Sequence, residues 1–130
     1  MDFNEAIQFD FPSILCIIRK GEPMIEVKTA EEFKKEVLEA EVPVVVDFWA
    51  AWCQPCLILE PVLAELSANY EGRAKVVRIN VDEARELAQN HQIMSIPTVV
   101  FFKQGQIKDR SIGAVPKEIL AGKLDALLEG

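Results

Sequence analysis

Val44-Val45-Val46-Asp47-Phe48-Trp49-Ala50-Ala51-Trp52-Cys53-Gln54-Pro55-Cys56 decides how this chain is read. Its first half, from Pro43 to Trp49, is apolar on both alternating sets of positions, as in a central strand covered by helices on each face. Beyond Cys53 the apolar residues Leu59, Val62, Leu63 and Leu66 recur at spacings of three and four, which predicts a helix. A Cys-x-x-Cys pair therefore sits where a buried strand gives way to a helix. Residues so spaced on a helix share a face, with side chains about 5–6 Å apart, a separation that a disulfide closes without displacing the backbone. Cys53 at the helix start faces unpaired backbone N–H groups and the positive end of the helix dipole, both of which favour thiolate over thiol. It is the expected nucleophile. Cys56, one turn further in, is expected to be more buried and closer to neutral, suited to resolving a mixed disulfide. Pro55 fits the first turn, where a missing N–H costs little.

Within the strand, Asp47 alternates onto the face of Val45 and Trp49, which a helix should cover. A desolvated carboxyl there favours its neutral form, so its pKa should rise towards the range useful for accepting a proton from Cys56. The competing reading is an edge-strand Asp directed into water. Outward from this segment, strand-like and helix-like periods alternate, the pattern of a sheet covered by helices. Ile25–Val27 reads as a short strand. Thr29 with Glu32 forms a capping-box pair opening a helix whose stripe is Ala30, Phe33 and Val37. The helix after Cys53 contains Pro61, which removes a ladder hydrogen bond and predicts a kink. Lys75–Val81 is a strand, and Asp82 is the expected cap of a short helix through about His91. Pro97–Lys103 and Gln106–Ile112 are strands joined by a Gln104-Gly105 hairpin turn, and Leu120, Leu124, Leu127 and Leu128 mark a closing helix.

The 130 residues suit one domain, with 50% hydrophobic and 27% charged residues, close to the globular average. A net charge of −7 lacks the basic footprint that phosphate neutralisation needs, so neither nucleic acid nor an anionic membrane is an expected partner. The longest apolar runs, Ile14–Ile18 and Ile96–Phe102, fall far below the roughly 20 residues of a membrane span. The start of the chain, Met1-Asp2-Phe3-Asn4-Glu5, is acidic where a secretory signal is basic, which points to the cytoplasm. Three cysteines are too few, and odd in number, for a disulfide scaffold. Two blander readings of the pair compete with redox chemistry. Buried structural thiols explain the residue types but not Trp52 and Pro55 around them, and zinc would need four ligands where the chain adds only Cys16 and His91. No metal is expected, and His91 reads most simply as a surface or partly buried histidine.

Trp52-Cys53-Gln54-Pro55-Cys56 after a strand containing Asp47, followed by Ile96-Pro97-Thr98 and Gly113-Ala114, resembles the thioredoxin family from about Ile25 to the C-terminus. The resemblance implies an α/β thioredoxin fold, a central mixed five-stranded sheet flanked by four helices, over residues 24–130, with residues 1–23 as an N-terminal extension. It implies that Cys53 attacks a substrate disulfide, Cys56 resolves it and Asp47 assists proton transfer. Pro97 would be a cis-proline facing the dithiol, with the Ile96 backbone pairing to an extended substrate segment. Trp52, Gly113 and Ala114 would line the same contact surface. Three residues depart from the family pattern. Arg78 replaces a lysine near the carboxylate with a cation that stays charged. Gln54 stands between the cysteines in place of glycine, and Ser95 stands where glycine is common before Ile-Pro.

The implied activity is reduction of protein disulfides in the cytoplasm, as part of cellular electron transport and redox homeostasis. No cofactor is expected beyond the Cys53–Cys56 disulfide, and recycling falls to a thioredoxin reductase, a flavoprotein drawing on NADPH. Two alternatives use the same scaffold: a disulfide oxidant or isomerase, and a binding module that recruits a partner through the extension. The extension carries alternating Ile7, Phe9 and Phe11 and the run Ile14–Ile18, in which Cys16 reads as a small buried hydrophobe.

Overall fold

Alternation along the central strand sorts its side chains between two helical layers. The computed structural model describes residues 24–130; the extension, with Cys16 and both apolar stretches, lies outside the described residues. The element order is β1 (Ile25–Glu26), α1 (Ala30–Phe33, continued by a π-helical segment Lys34–Leu38), β2 (Val44–Trp49), α2 (Gln54–Asn69), β3 (Lys75–Asn80), α3 (Arg85–Asn90), β4 (Thr98–Lys103), β5 (Gln106–Ile112) and α4 (Lys117–Glu129). The strands form one mixed five-stranded sheet in the order β1-β3-β2-β4-β5. β1 and β2 pair with β3 in parallel, whereas β4 runs antiparallel to β2 and β5 antiparallel to β4. The central position expected for β2 is the one it takes.

On one face Val44, Val46 and Phe48 of β2 pack with Phe33 and Val37 of the first helical segment, Leu87 of α3, and Val77, Ile79, Val100 and Phe102 of the sheet. On the other, Val45 joins Leu59, Leu63 and Leu66 of α2, Leu120 and Leu124 of α4, and Val76, Val99 and Phe101. α2 and α4 insert the stripes their spacing predicted, while in the first helical segment Phe33 and Val37 are buried and Ala30, expected beside them, is exposed; the two layers leave β2 with almost no exposed surface. The buried area supplies the main driving force, of order 1.5–3 kcal/mol for each fully buried Val, Leu or Phe.

Local signals are met where a few neighbouring residues suffice. Thr29 Oγ1 accepts the Glu32 N–H at 3.1 Å while Glu32 Oε1 accepts the Thr29 N–H at 3.2 Å, completing the capping box. Gln104 and Gly105 both take positive φ, 53° and 78°, as a two-residue hairpin turn whose twist matches its strands requires. Gly105 is also pressed against the first helical segment: a Cβ there would lie 3.0 Å from the Leu38 carbonyl oxygen. α2 continues through Pro61 as one element.

Two further expectations, a strand end and a helix cap, need correction. The first strand ends at Glu26, although the Val27 N–H still donates to the Arg78 carbonyl at 2.9 Å. Asp82 does not cap the short helix; α3 begins at Arg85 after Ala84, with no side-chain cap. The Asp82 N–H is taken by Asn80 Oδ1 at 2.9 Å and its carboxylate by a tryptophan 30 residues earlier, so a local preference yields to a tertiary one.

Leu63 lies fully buried where α2 meets the sheet. Leu63→Ala should cost about 2–5 kcal/mol, read as a lowered midpoint of urea unfolding at unchanged slope. A midpoint within error of the parent would show that α2 does not pack as described.

Candidate active site

Apolar β2 delivers the chain to one end of the sheet, where Ala50 is fully buried and α2 begins a few residues on. Cys53 occupies the N-cap of α2 with extended backbone, φ −94° and ψ 107°, and its Sγ accepts the Cys56 backbone N–H at 3.2 Å. An orphan donor of the helix start is thereby aimed at sulfur, which is how a helix terminus stabilises thiolate once the bond is reduced. Pro55 in the first turn has no N–H to leave unsatisfied. Cys53 and Cys56 are joined as a disulfide with Cα atoms 5.2 Å apart, within the range such a bond spans. Cys53 retains 4% exposure and Cys56 none, so an incoming sulfur reaches the first and not the second.

Across from the dithiol, the Ile96–Pro97 peptide bond is cis, the geometry the resemblance implied. The Ile96 carbonyl oxygen stands 3.9 Å from Cys53 Sγ. Gly113, at φ 93°, donates its N–H to the Pro97 carbonyl at 2.8 Å, which fixes the Gly113-Ala114 turn beside that loop. Trp52 is 69% exposed, its indole N–H held by Asp82 Oδ2 at 2.8 Å. Between these pieces lies an open, mainly apolar groove of about 590 Å³ lined by Trp52, Cys53, Gln54, Pro55, Met94 and Ile96. An exposed ring held by a hydrogen bond at one end presents an apolar face at little entropic cost, as a contact surface for peptide requires.

Beneath α2, Asp47 is fully buried on the face shared with Val45, opposite Arg78 in β3 and Val99 in β4. The edge-strand reading is therefore excluded. Burial pushes its carboxyl up from 3.8 to about 7, against the pull of the Arg78 charge and hydrogen bond; Glu26 and Glu60 add to the rise. Arg78 Nε donates to Asp47 Oδ2 at 3.3 Å, and the guanidinium stacks on Trp49 at 4.0 Å from the ring centre. Its Nη1 reaches Glu60 Oε2 at 3.4 Å and Glu26 Oε2 at 3.8 Å.

The dithiol, Trp52, the Ile96–Pro97 loop and the Gly113-Ala114 turn thus gather at one end of the sheet, with Asp47 and Arg78 beneath α2. Four others join them: Trp49, Glu26 and Glu60 around Arg78, and Asp82 beneath Trp52. Glu60 carried a sequence signal, since it lies four residues after Cys56 and hence on the same side of α2. Glu26 and Asp82 carried none, because strand pairing and chain reversal place them. Among the described residues no three metal-ligating side chains converge. His91 packs against the rings of Phe33, Phe48 and Phe102, with Nδ1 2.8 Å from the Leu87 carbonyl oxygen, as a partly buried structural histidine.

Residues 24–126 match the Thioredoxin family model. The chain belongs to the thioredoxin family. It is 51% identical over 96 residues to "Thioredoxin" of Synechocystis sp., an alignment spanning 74% of this chain and 90% of that one. It is 43% identical over 121 residues to "Thioredoxin M-type, chloroplastic" of Spinacia oleracea, spanning 93% of this chain and 67% of the relative. "Thioredoxin 2" of Chlorobaculum tepidum is 45% identical over 97 residues, or 75% and 89% of the two chains. With this membership and the Cys53–Cys56 disulfide, the chain is a thiol-disulfide oxidoreductase that reduces protein disulfides through a dithiol-disulfide cycle.

The raised carboxyl has a consequence for stability. Unfolded Asp47 ionises near 3.9 but the folded group only near 7, so the folded state holds the extra proton between these values and loses stability as pH rises through them. Asp47→Asn removes that loss. Relative to the parent, its stability should gain nothing further below pH about 4 and should climb by up to about 4 kcal/mol by pH about 7, as read from denaturant melts across that range. A pH-independent difference would mean that Asp47 does not titrate in this window.

Proposed function

We propose that Cys53 is the attacking sulfur, Cys56 the resolving sulfur and Asp47 the group that takes the Cys56 proton. The observation that carries this division is that Cys53 Sγ lies at the floor of an open groove and receives a backbone N–H, while Cys56 is wholly enclosed. In the reduced protein, the Cys53 thiolate attacks one sulfur of a substrate disulfide; that S–S bond breaks and the other substrate sulfur leaves as thiolate. Cys56 then loses its proton towards Asp47 and attacks Cys53 Sγ. The mixed disulfide breaks, the second substrate thiolate departs, and the Cys53–Cys56 disulfide remains. Two electrons have passed from the dithiol to the substrate, with no cofactor in the step.

Trp52 and Ile96, which line the groove, are proposed to hold an extended polypeptide beside the dithiol, the Ile96 backbone offering strand-like pairing, with Pro97, Gly113 and Ala114 adjoining them through the Gly113 N–H bond to the Pro97 carbonyl. Gln54, at the groove wall, meets whatever docks there. The disulfide form returns to dithiol by the reverse exchange with a donor dithiol, proposed to be a flavoprotein reductase that draws on NADPH. The proposed site of action is the cytoplasm, whose thiol buffer keeps such a pair from idling in the oxidised form. No helix among the described residues is long and apolar enough to cross a membrane. Neither the oxidant or isomerase reading nor the binding-module reading has an observation of its own in the described residues.

Incubated with a model protein disulfide, Cys56→Ser should accumulate a covalent adduct through Cys53, Cys53→Ser should form none, and both should lose steady-state turnover by at least about 100-fold, since each removes an obligatory sulfur. Non-reducing electrophoresis with mass mapping reads the outcome. An adduct on Cys56 in the Cys53→Ser protein would reverse the assignment.

A further inference from the structure

The buried pair at the heart of the site is incomplete on both sides. Asp47 Oδ1 and Arg78 Nη2 are both buried and find no partner among the described residues, although a side-on, two-bond contact between carboxylate and guanidinium would engage a second atom on each. Arg78 instead meets Asp47 through Nε alone, while its outer edge turns towards Glu60 on α2 and Glu26 on β1 and its flat face rests on Trp49. Four partners, three carboxylates and a ring, thus act on one cation whose side chain is 6% exposed. Glu60 is 46% exposed, and among the described ion pairs it meets only Arg78.

We propose that Glu60 is a positioning residue for the exchange reaction: it holds the outer edge of the Arg78 guanidinium so that the cation reaches Asp47 through a single N–H, leaving the carboxyl free to take up a proton. The inference rests on the reading of Asp47 as the proton acceptor for Cys56. Its physical content is a competition. A guanidinium shared among three carboxylates stabilises the anionic form of any one of them less than a guanidinium devoted to it, and its planar fork turns readily to a two-bond contact when one partner is removed. The groups that act on Asp47 are Arg78 from β3, Glu26 from β1 and Glu60 from α2. β4 sets only Val99 beside it, and Lys28 and Glu83 act on Glu26 from outside. Glu60 stands one helical turn after Cys56, so the residue that steadies the cation is carried by the helix that carries the resolving sulfur.

The test uses the oxidised full-length protein, in which neither cysteine of the pair titrates. The Asp47 carboxyl is followed by its ¹³C signal against pH, and the Arg78 Nε–H by its nitrogen and proton resonances. In Glu60→Gln the carboxyl midpoint should fall by about 0.5 pH unit or more, with a displaced Arg78 Nε–H signal. Glu60→Asp, which keeps the charge, should restore most of both. An unmoved midpoint in a folded Glu60→Gln protein overturns the inference, as does a moved midpoint with an unchanged Arg78 signal, which would mean that Glu60 acts on Asp47 directly. The pH profile of protein-disulfide reduction by the same variants separates this inference from its foundation. A profile that moves down with the carboxyl midpoint supports both, and a profile that stays put while the midpoint moves overturns the role of Asp47 as proton acceptor.

Discussion

The backbone N–H of Cys56 points at the sulfur of Cys53, and the rest of the molecule is arranged so that it must. That N–H is free because a helix has just begun, and the helix begins there because β2 ends against a fully buried Ala50. The strand can end so abruptly only because both of its faces are covered, one by the first helical segment and α3 and the other by α2 and α4. A sulfur placed one residue earlier, at Trp52, would lie in the turn ahead of the N-cap, and one placed a turn later would meet N–H groups already bonded along the helix. The redox pair is thus a property of a helix terminus, and the terminus is a property of the packed sheet.

A second constraint acts from below. A carboxyl in the middle of an apolar strand opposes the hydrophobic packing around it, and its ionised form survives only through Arg78. A group that accepts a proton, the role proposed for Asp47, must be poised near neutrality, and burial is the means of raising a carboxyl that far. Arg78, always charged, keeps the opposing pull constant across pH, where a lysine could relieve it by losing a proton.

Much of this was legible in residue order. The strand-helix alternation, the both-sides-apolar β2, the capping box at Thr29 and the Gln104-Gly105 turn depend on a few neighbouring residues, and neighbouring residues are what a sequence displays. Asp82 shows the limit. Its type and position fit an N-cap, yet Asn80 takes its N–H and Trp52 its carboxylate, and the helix starts three residues later. The same holds for Glu26, whose place beside Arg78 follows from pairing between β1 and β3, two segments about 50 residues apart in the chain.

From the sequence alone came the identity of the chemistry: two cysteines at helical spacing after a buried strand, a proline that suits the first turn, and an aspartate on the strand's covered face. Those features act over one or two turns of backbone, where covalent geometry and local hydrogen bonding dictate the outcome. Tertiary structure alone decided that the Ile96 carbonyl stands 3.9 Å from Cys53 Sγ and which three carboxylates share Arg78. Burial, desolvation and the orientation of a charged fork are set by groups that meet only when distant strands and helices pack, so no local pattern encodes them.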